Sequence, residues 1–133
     1  MFRSLLRTSA VLGSVVAASV ALAAPAQAES EVILSGTFEG RSDHVTSGGV
    51  SVLETDAGTI VVLESDFFLD GAPDPKLGFG KDGYDASTQF TVLESNTGAQ
   101  MYVVPDTIDP ADFNEFWVWC EKFDVPLGVA TLN

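Results

Sequence analysis

The chain has 133 residues, 46% hydrophobic and 19% charged, with 12 Gly and 6 Pro. That balance excludes intrinsic disorder and gives one ordinary domain, large enough to bury a core without disulfides or a structural metal. Six Lys and Arg stand against 19 Asp and Glu, and with Arg3 and Arg7 in an acid-free N-terminal stretch, residues 29–133 carry 4 minus 19, or −15. Such a chain lacks the clustered cations that grip phosphate backbones, so nucleic acid is excluded as a partner, and an anionic membrane surface repels it. The charge serves solubility or a salty medium, or offers a docking face to a basic partner or a cation.

Residues 1–28 have the three parts of an export signal: Arg3 and Arg7, an uncharged Ala, Val and Leu stretch over residues 10–24, and the small-x-small sequence Ala26-Gln27-Ala28. The apolar run is too short and Ala-rich for a stable membrane anchor. No Arg-Arg pair is present, which favours the general secretory route, and no Cys stands at the cleavage point for lipid attachment. The expectation is a periplasmic or secreted domain, residues 29–133, beginning at Glu29.

Short runs of Val, Ile, Phe and Thr, separated by Gly, Asn, Asp and Pro, then recur without helical periodicity. They predict strands over residues 31–38, 49–54 and 59–64, the last two joined by the hairpin turn Asp56-Ala57-Gly58. The continuous run Ile60-Val61-Val62-Leu63 predicts a strand covered on both faces. Residues 67–69 read as a short strand, and residues 70–75 as a loop, because Pro73 and Pro75 remove ladder donors. Residues 77–79 pair briefly. Residues 88–94 and 100–104 read as a hairpin around Ser95-Asn96-Thr97-Gly98. Asp109 and Pro110 cap one helical turn. Residues 116–121 read as a central strand, with Trp117 and Trp119 on one side and Phe116, Val118 and Cys120 on the other. Residues 125–132 close the fold, with Pro126 and Gly128 at an edge or bulge. The fold class is all-β: a single β-sandwich or flattened barrel of about eight mostly antiparallel strands.

Cys120 is the sole cysteine. In an oxidising compartment a lone thiol is buried and inert, pairs between molecules, holds a centre, or does redox chemistry. Lys122 would share the face of Cys120 on an ideal strand and would favour thiolate there. His44 is the only histidine, either a turn residue beside Asp43 or a second group that shares haem iron or a metal with Cys120. A blue-copper site needs two His, so one is too few, even with Met101 as axial ligand. The usual covalent haem motif is absent. Asp70 and Asp74, with Asp66 before them, form an acidic loop that either is solvated or binds calcium through carboxylates and carbonyls. Asp82 and Asp85 invite the same reading. No Gly-x-Ser-x-Gly elbow or phosphate loop is present, so a stand-alone enzyme is not expected. Trp117 and Trp119 pack in the core or form a ligand platform.

The C-terminal third carries specific motifs: Leu93-Glu94-Ser95-Asn96-Thr97-Gly98-Ala99-Gln100-Met101-Tyr102 before Val104-Pro105, and Phe116-Trp117-Val118-Trp119-Cys120-Glu121-Lys122-Phe123 before Val125, Gly128, Ala130 and Leu132. Upstream, Gly36-Thr37-Phe38, His44, Ser47-Gly48 and Gly71-Ala72-Pro73-Asp74 follow in order. Together they resemble the electron-transfer DM-thirteen domain family over essentially the whole of residues 29–133. The resemblance implies an extracytoplasmic β-rich redox component with Cys120 as the redox group, either a bare thiol or a ligand of haem or another centre. In multidomain members the domain accompanies cytochrome-like modules, so here the expected partner is a separate redox or cell-surface protein. The alternative function is a non-catalytic β-sandwich interaction module for a protein, glycan or cation, with Cys120 in the core.

Overall fold

The computed structural model describes residues 13–22 and 29–133. The expected export signal lies largely outside them, including Arg3, Arg7 and the Ala26-Gln27-Ala28 cleavage sequence; residues 13–22 are exposed and form no regular element. Among the described residues no helix is long and apolar enough to cross a membrane.

Among the described residues ten strands form, all paired antiparallel: β1 (Ser30–Gly40), β2 (Thr46–Ser47), β3 (Gly49–Thr55), β4 (Gly58–Leu63), β5 (Phe68–Leu69), β6 (Pro75–Gly80), β7 (Thr91–Val92), β8 (Gln100–Val103), β9 (Glu115–Cys120) and β10 (Val125–Thr131). Eight of them run in the order β7-β6-β9-β10-β1-β3-β4-β8, and β2 pairs β5 separately. The expected all-β sandwich or flattened barrel is therefore the fold.

β1 makes the corner. Its first part, Ser30 to Thr37, pairs β3, and its last part, Phe38 to Gly40, pairs β10. One long strand thus belongs to two layers, β1-β3-β4-β8 and β7-β6-β9-β10-β1. Backbone bonds between Ser35 and Asn133, at 3.0 and 3.1 Å, tie the chain's end to this corner. Inward residues of the first layer (Val50, Val52, Val61, Leu63, Tyr102) meet those of the second (Leu77, Phe79, Phe116, Val118, Leu127) in one core. Phe116 lies at its centre, with edge-on rings of Phe79 at 5.1 Å and Phe38 at 6.3 Å. Such edge-to-face pairs add to the burial energy of the rings themselves.

Several expectations change. The hairpin of residues 88–94 and 100–104 does not form: β7 pairs β6, β8 pairs β4, and the two stand at opposite ends of the strand order. The intervening Ser95 to Gly98 reaches back to β5 instead, where Asn96 O accepts from Leu69 N–H at 2.8 Å and Gly98 N–H donates to Phe67 O at 3.0 Å. Thr88 leaves the predicted strand for a 3₁₀ turn, Ala86–Thr88, capped by Asp85. The Thr88 hydroxyl bonds both Phe79 N–H, at 2.7 Å, and Phe79 O, at 2.9 Å, which takes up those groups locally. Residues 77–79 belong to a six-residue strand paired on both sides, with Pro75 at its first position, where a missing donor is tolerated. β4 is covered on one face only, since Val61 and Leu63 are buried while Ile60 and Val62 are partly exposed.

Other expectations hold. Gly58 at φ 120° makes the β3–β4 hairpin turn. Asp109 caps a 3₁₀ turn with Pro110 at its start. β9 is central, between β6 and β10, and the bulge in β10 falls between Pro126 and Gly128.

Candidate functional site

Cys120 ends β9, paired with Pro75 of β6 and Val125 of β10. Strand alternation puts it with Phe116 and Val118, all three in the core cluster, and it is 1% exposed. Lys122 does not stand beside it. The strand stops at Cys120, residues 121–124 turn, and the exposed Lys122 lies with its Nζ 5.5 Å from the Phe123 ring centroid. The cation expected to favour thiolate is thus displaced by a turn that ideal-strand geometry does not foresee.

His44 lies in the loop between β1 and β2. The turn is built from Ser42 and Asp43, both in the left-handed region. Its Nδ1 donates to Asp70 Oδ1 at 2.7 Å, and Asp70 Oδ2 accepts the Val45 N–H at 3.0 Å. Asp70 follows β5, so one carboxylate fastens the β1–β2 loop to the β5 end. The Val45 N–H bond, then the His44 bond, hold the Asp70 carboxyl below its ordinary value. His44 is therefore joined to Asp70 rather than to Cys120.

Three other loop acids have separate partners. Asp74 Oδ1 lies 3.3 Å from Lys76 Nζ, and Asp66 Oδ1 accepts from Gly49 N–H at 2.9 Å. Asp85 Oδ1 accepts from Ser87 N–H at 3.0 Å. Among the described residues no group of three or more His, Cys, Asp or Glu is placed to hold a metal ion. Met101 lies on the outer edge strand, 70% exposed. The donors considered for haem or copper are thus committed to different surroundings: an enclosed thiol, an imidazole bonded to Asp70, and an outward thioether. They do not fit such a group.

The second face of β9 carries an aromatic cluster that sequence reasoning assigned only in part. Trp117 and Trp119 meet at 6.1 Å, and Tyr84 stacks on Trp119 at 4.4 Å with 10° between planes. Tyr84 was not among the expected members. Its signal was the alternation of Gly78 and Gly80 with Leu77 and Phe79 in β6. A Cβ at Gly78 would lie 2.9 Å from the Tyr84 ring, and one at Gly80 would lie 2.6 Å from Trp117 Nε1. The glycines leave the outer face of β6 open to the rings. Burial, then the charges of Glu121, Asp85 and Asp124, push the Tyr84 phenol up to about 12. Its hydroxyl donates to Gln89 Oε1 at 2.9 Å, Gln89 Nε2 contacts Glu121, and Trp119 Nε1 donates to Asp124 at 3.2 Å. Trp117 Nε1 is buried and has no hydrogen-bond partner among the described residues. The two tryptophans therefore pack against each other and Tyr84, outside the main core.

No curated protein and no solved structure matches this chain. Residues 37–132, from β1 through β10, match the family model described as electron transfer DM13, and the chain belongs to that family.

Proposed function

We propose that residues 29–133 act outside the cytoplasm as a non-catalytic binding module within an electron-transfer system, with Cys120 a core residue. The observation that carries this reading is the setting of Cys120, 1% exposed in the core cluster with Phe116 and Val118. Thiol chemistry needs access, and the core does not supply it there. The general electron-transfer role comes with the family; in this reading the redox centre belongs to a separate partner chain. The test is labelling of the thiol in the folded and the unfolded chain. Cys120 resists labelling until unfolding, and Cys120→Ala costs about 1–3 kcal/mol of stability while leaving partner binding intact. Rapid labelling of the folded chain overturns the reading.

A second reading assigns the family's electron-transfer role to Cys120 itself, as a reversibly oxidised thiol that exchanges electrons with a partner. Here the thiol must first be uncovered by opening of the β9–β10 end. Cys120→Ser then abolishes electron exchange with that partner while the fold persists. An unchanged rate of exchange in that variant dismisses it.

A further inference from the structure

The outer face of the β1-β3-β4-β8 layer carries, beside Ser35, Ser51 and Thr55, a group of apolar side chains where an exposed sheet face is ordinarily polar. Register sets Val32 opposite Leu53, Leu53 opposite Ile60, Ile60 opposite Val103, and Val62 opposite Met101. Their neighbours Val52, Val61 and Tyr102 are buried, so alternation turns these six outward. Val32 is 56% exposed, Met101 70% and Val103 74%. Six adjoining apolar side chains over four strands make a contiguous patch, the kind of surface that marks an interaction site.

The patch runs to an open edge. Among the described residues β8 pairs only β4 and ends the strand order. Val104 N–H donates to Thr59 O at 3.0 Å, so the hydrogen-bonded positions of this pair are Val104 and, two residues earlier, Tyr102. Met101 and Val103 therefore aim their N–H and C=O groups away from β4, toward the free edge. Edges of this kind are usually blunted by Lys or Pro, and residues 100–103 contain neither.

Charge selects the occupant. The cations of the domain are Arg41, Lys76, Lys81 and Lys122, and none belongs to residues 29–37, 49–64 or 100–109. Acids flank the patch instead. Glu64 follows β4 beside the Gln100 end of β8, and Asp106 and Asp109 lie past its Val103 end, lining one surface with Glu54, Thr59 and Val104. A second copy would bring the same acids against themselves, whereas cationic flanks would meet them.

We propose that β8 and the adjoining face bind an extended apolar segment of a partner protein, flanked by Lys or Arg, which adds as a strand alongside Met101 and Val103. Backbone bonds to the free edge supply affinity, alternate apolar side chains extend the patch, and basic flanks meet the acids at both ends. This inference rests on the binding-module reading and names its surface.

The test uses the purified chain and a fluorescent nine-residue peptide, Lys-Lys-Val-Thr-Val-Thr-Val-Lys-Lys, followed by anisotropy. Binding is expected, weakening severalfold with added salt, and a peptide with the same centre and Glu flanks binds at least tenfold more weakly. Val103→Lys, on an exposed side chain, keeps the melting temperature and lowers affinity tenfold or more; the milder Val103→Thr lowers it less. No binding, equal binding of both peptides, or affinity untouched by Val103→Lys overturns the inference. So does self-association at the β8 edge without peptide binding, which makes a second copy the occupant. These outcomes are independent of Cys120: labelling of the folded thiol overturns the earlier reading and leaves the peptide result standing.

Discussion

Asp70 holds two chain segments with one carboxylate, accepting from His44 on one oxygen and from Val45 N–H on the other. Its carboxyl is lowered in the fold relative to the ordinary 3.8, so its contribution is fully present above that value and is lost as pH falls through the lower folded value. Asp70→Asn is thus less stable than the parent at neutral pH, and the gap between them closes as the pH drops below 3.8. Acid titration of both, followed by circular dichroism, checks this; a constant gap would show that the carboxylate charge is irrelevant. Tyr84 behaves oppositely. Its phenol is raised from 10.0 to about 12, so the folded state keeps a proton that the unfolded chain has released, and stability falls as pH rises from 10 through that window. Ultraviolet titration of tyrosinate should show a step near 12 that is absent in Tyr84→Phe, while the Tyr102 step, also raised chiefly by burial, remains.

At the scale of elements, the β10 bulge is held by close approach. A Cβ on Gly128 would fall 2.6 Å from Thr46 Cβ, and Thr46 is itself buried, its hydroxyl donating to Leu127 O at 2.8 Å. Neither partner has room to retreat, because the Thr46 hydroxyl fixes its rotamer on the strand that must move. Gly128→Ala is expected to destabilise by about 1–3 kcal/mol, the range for overpacking. Chemical denaturation measures it, and paired replacement of Thr46 by Ser should recover part of the loss by removing the methyl group. The sequence reading marked Pro126 and Gly128 as an edge or bulge. It could not say which, because the deciding fact is that β10 lies between β9 and β1.

The whole molecule carries its charge unevenly. With 4 cations and 19 acids after residue 28, the net −15 repels itself more in the compact state than in the unfolded one. Raising ionic strength from roughly 0.01 M to 0.15 M shortens the screening length from about 30 Å to about 8 Å. The melting temperature should therefore rise over this range, most steeply at the low end. A scanning calorimetry series tests it; a melting temperature that falls with salt would mean that the ion pairs Lys76–Asp74 and Lys76–Glu121 outweigh the repulsion.

The strands of the core were legible because each signal is local. Alternation of apolar residues over 116–120 placed Cys120 with Phe116 and Val118, the Asp109-Pro110 pair announced its own turn, and Asp56-Ala57-Gly58 joined neighbouring strands. Partners distant in sequence were not legible. The sequence alone offered β7 and β8 as a hairpin, and only the fold separated them, because each must bury its inward side chains against a different layer. It likewise placed Lys122 beside Cys120 and offered His44 either a turn beside Asp43 or a centre shared with Cys120, and only the fold put a turn at the first and Asp70 at the second. By itself the sequence determined an acidic, all-β domain with one thiol, since composition and short-range period suffice for that. The tertiary structure decided that the thiol is enclosed and that β4 shows an apolar face to the outside, because burial is a property of what packs opposite and not of the residue that is packed.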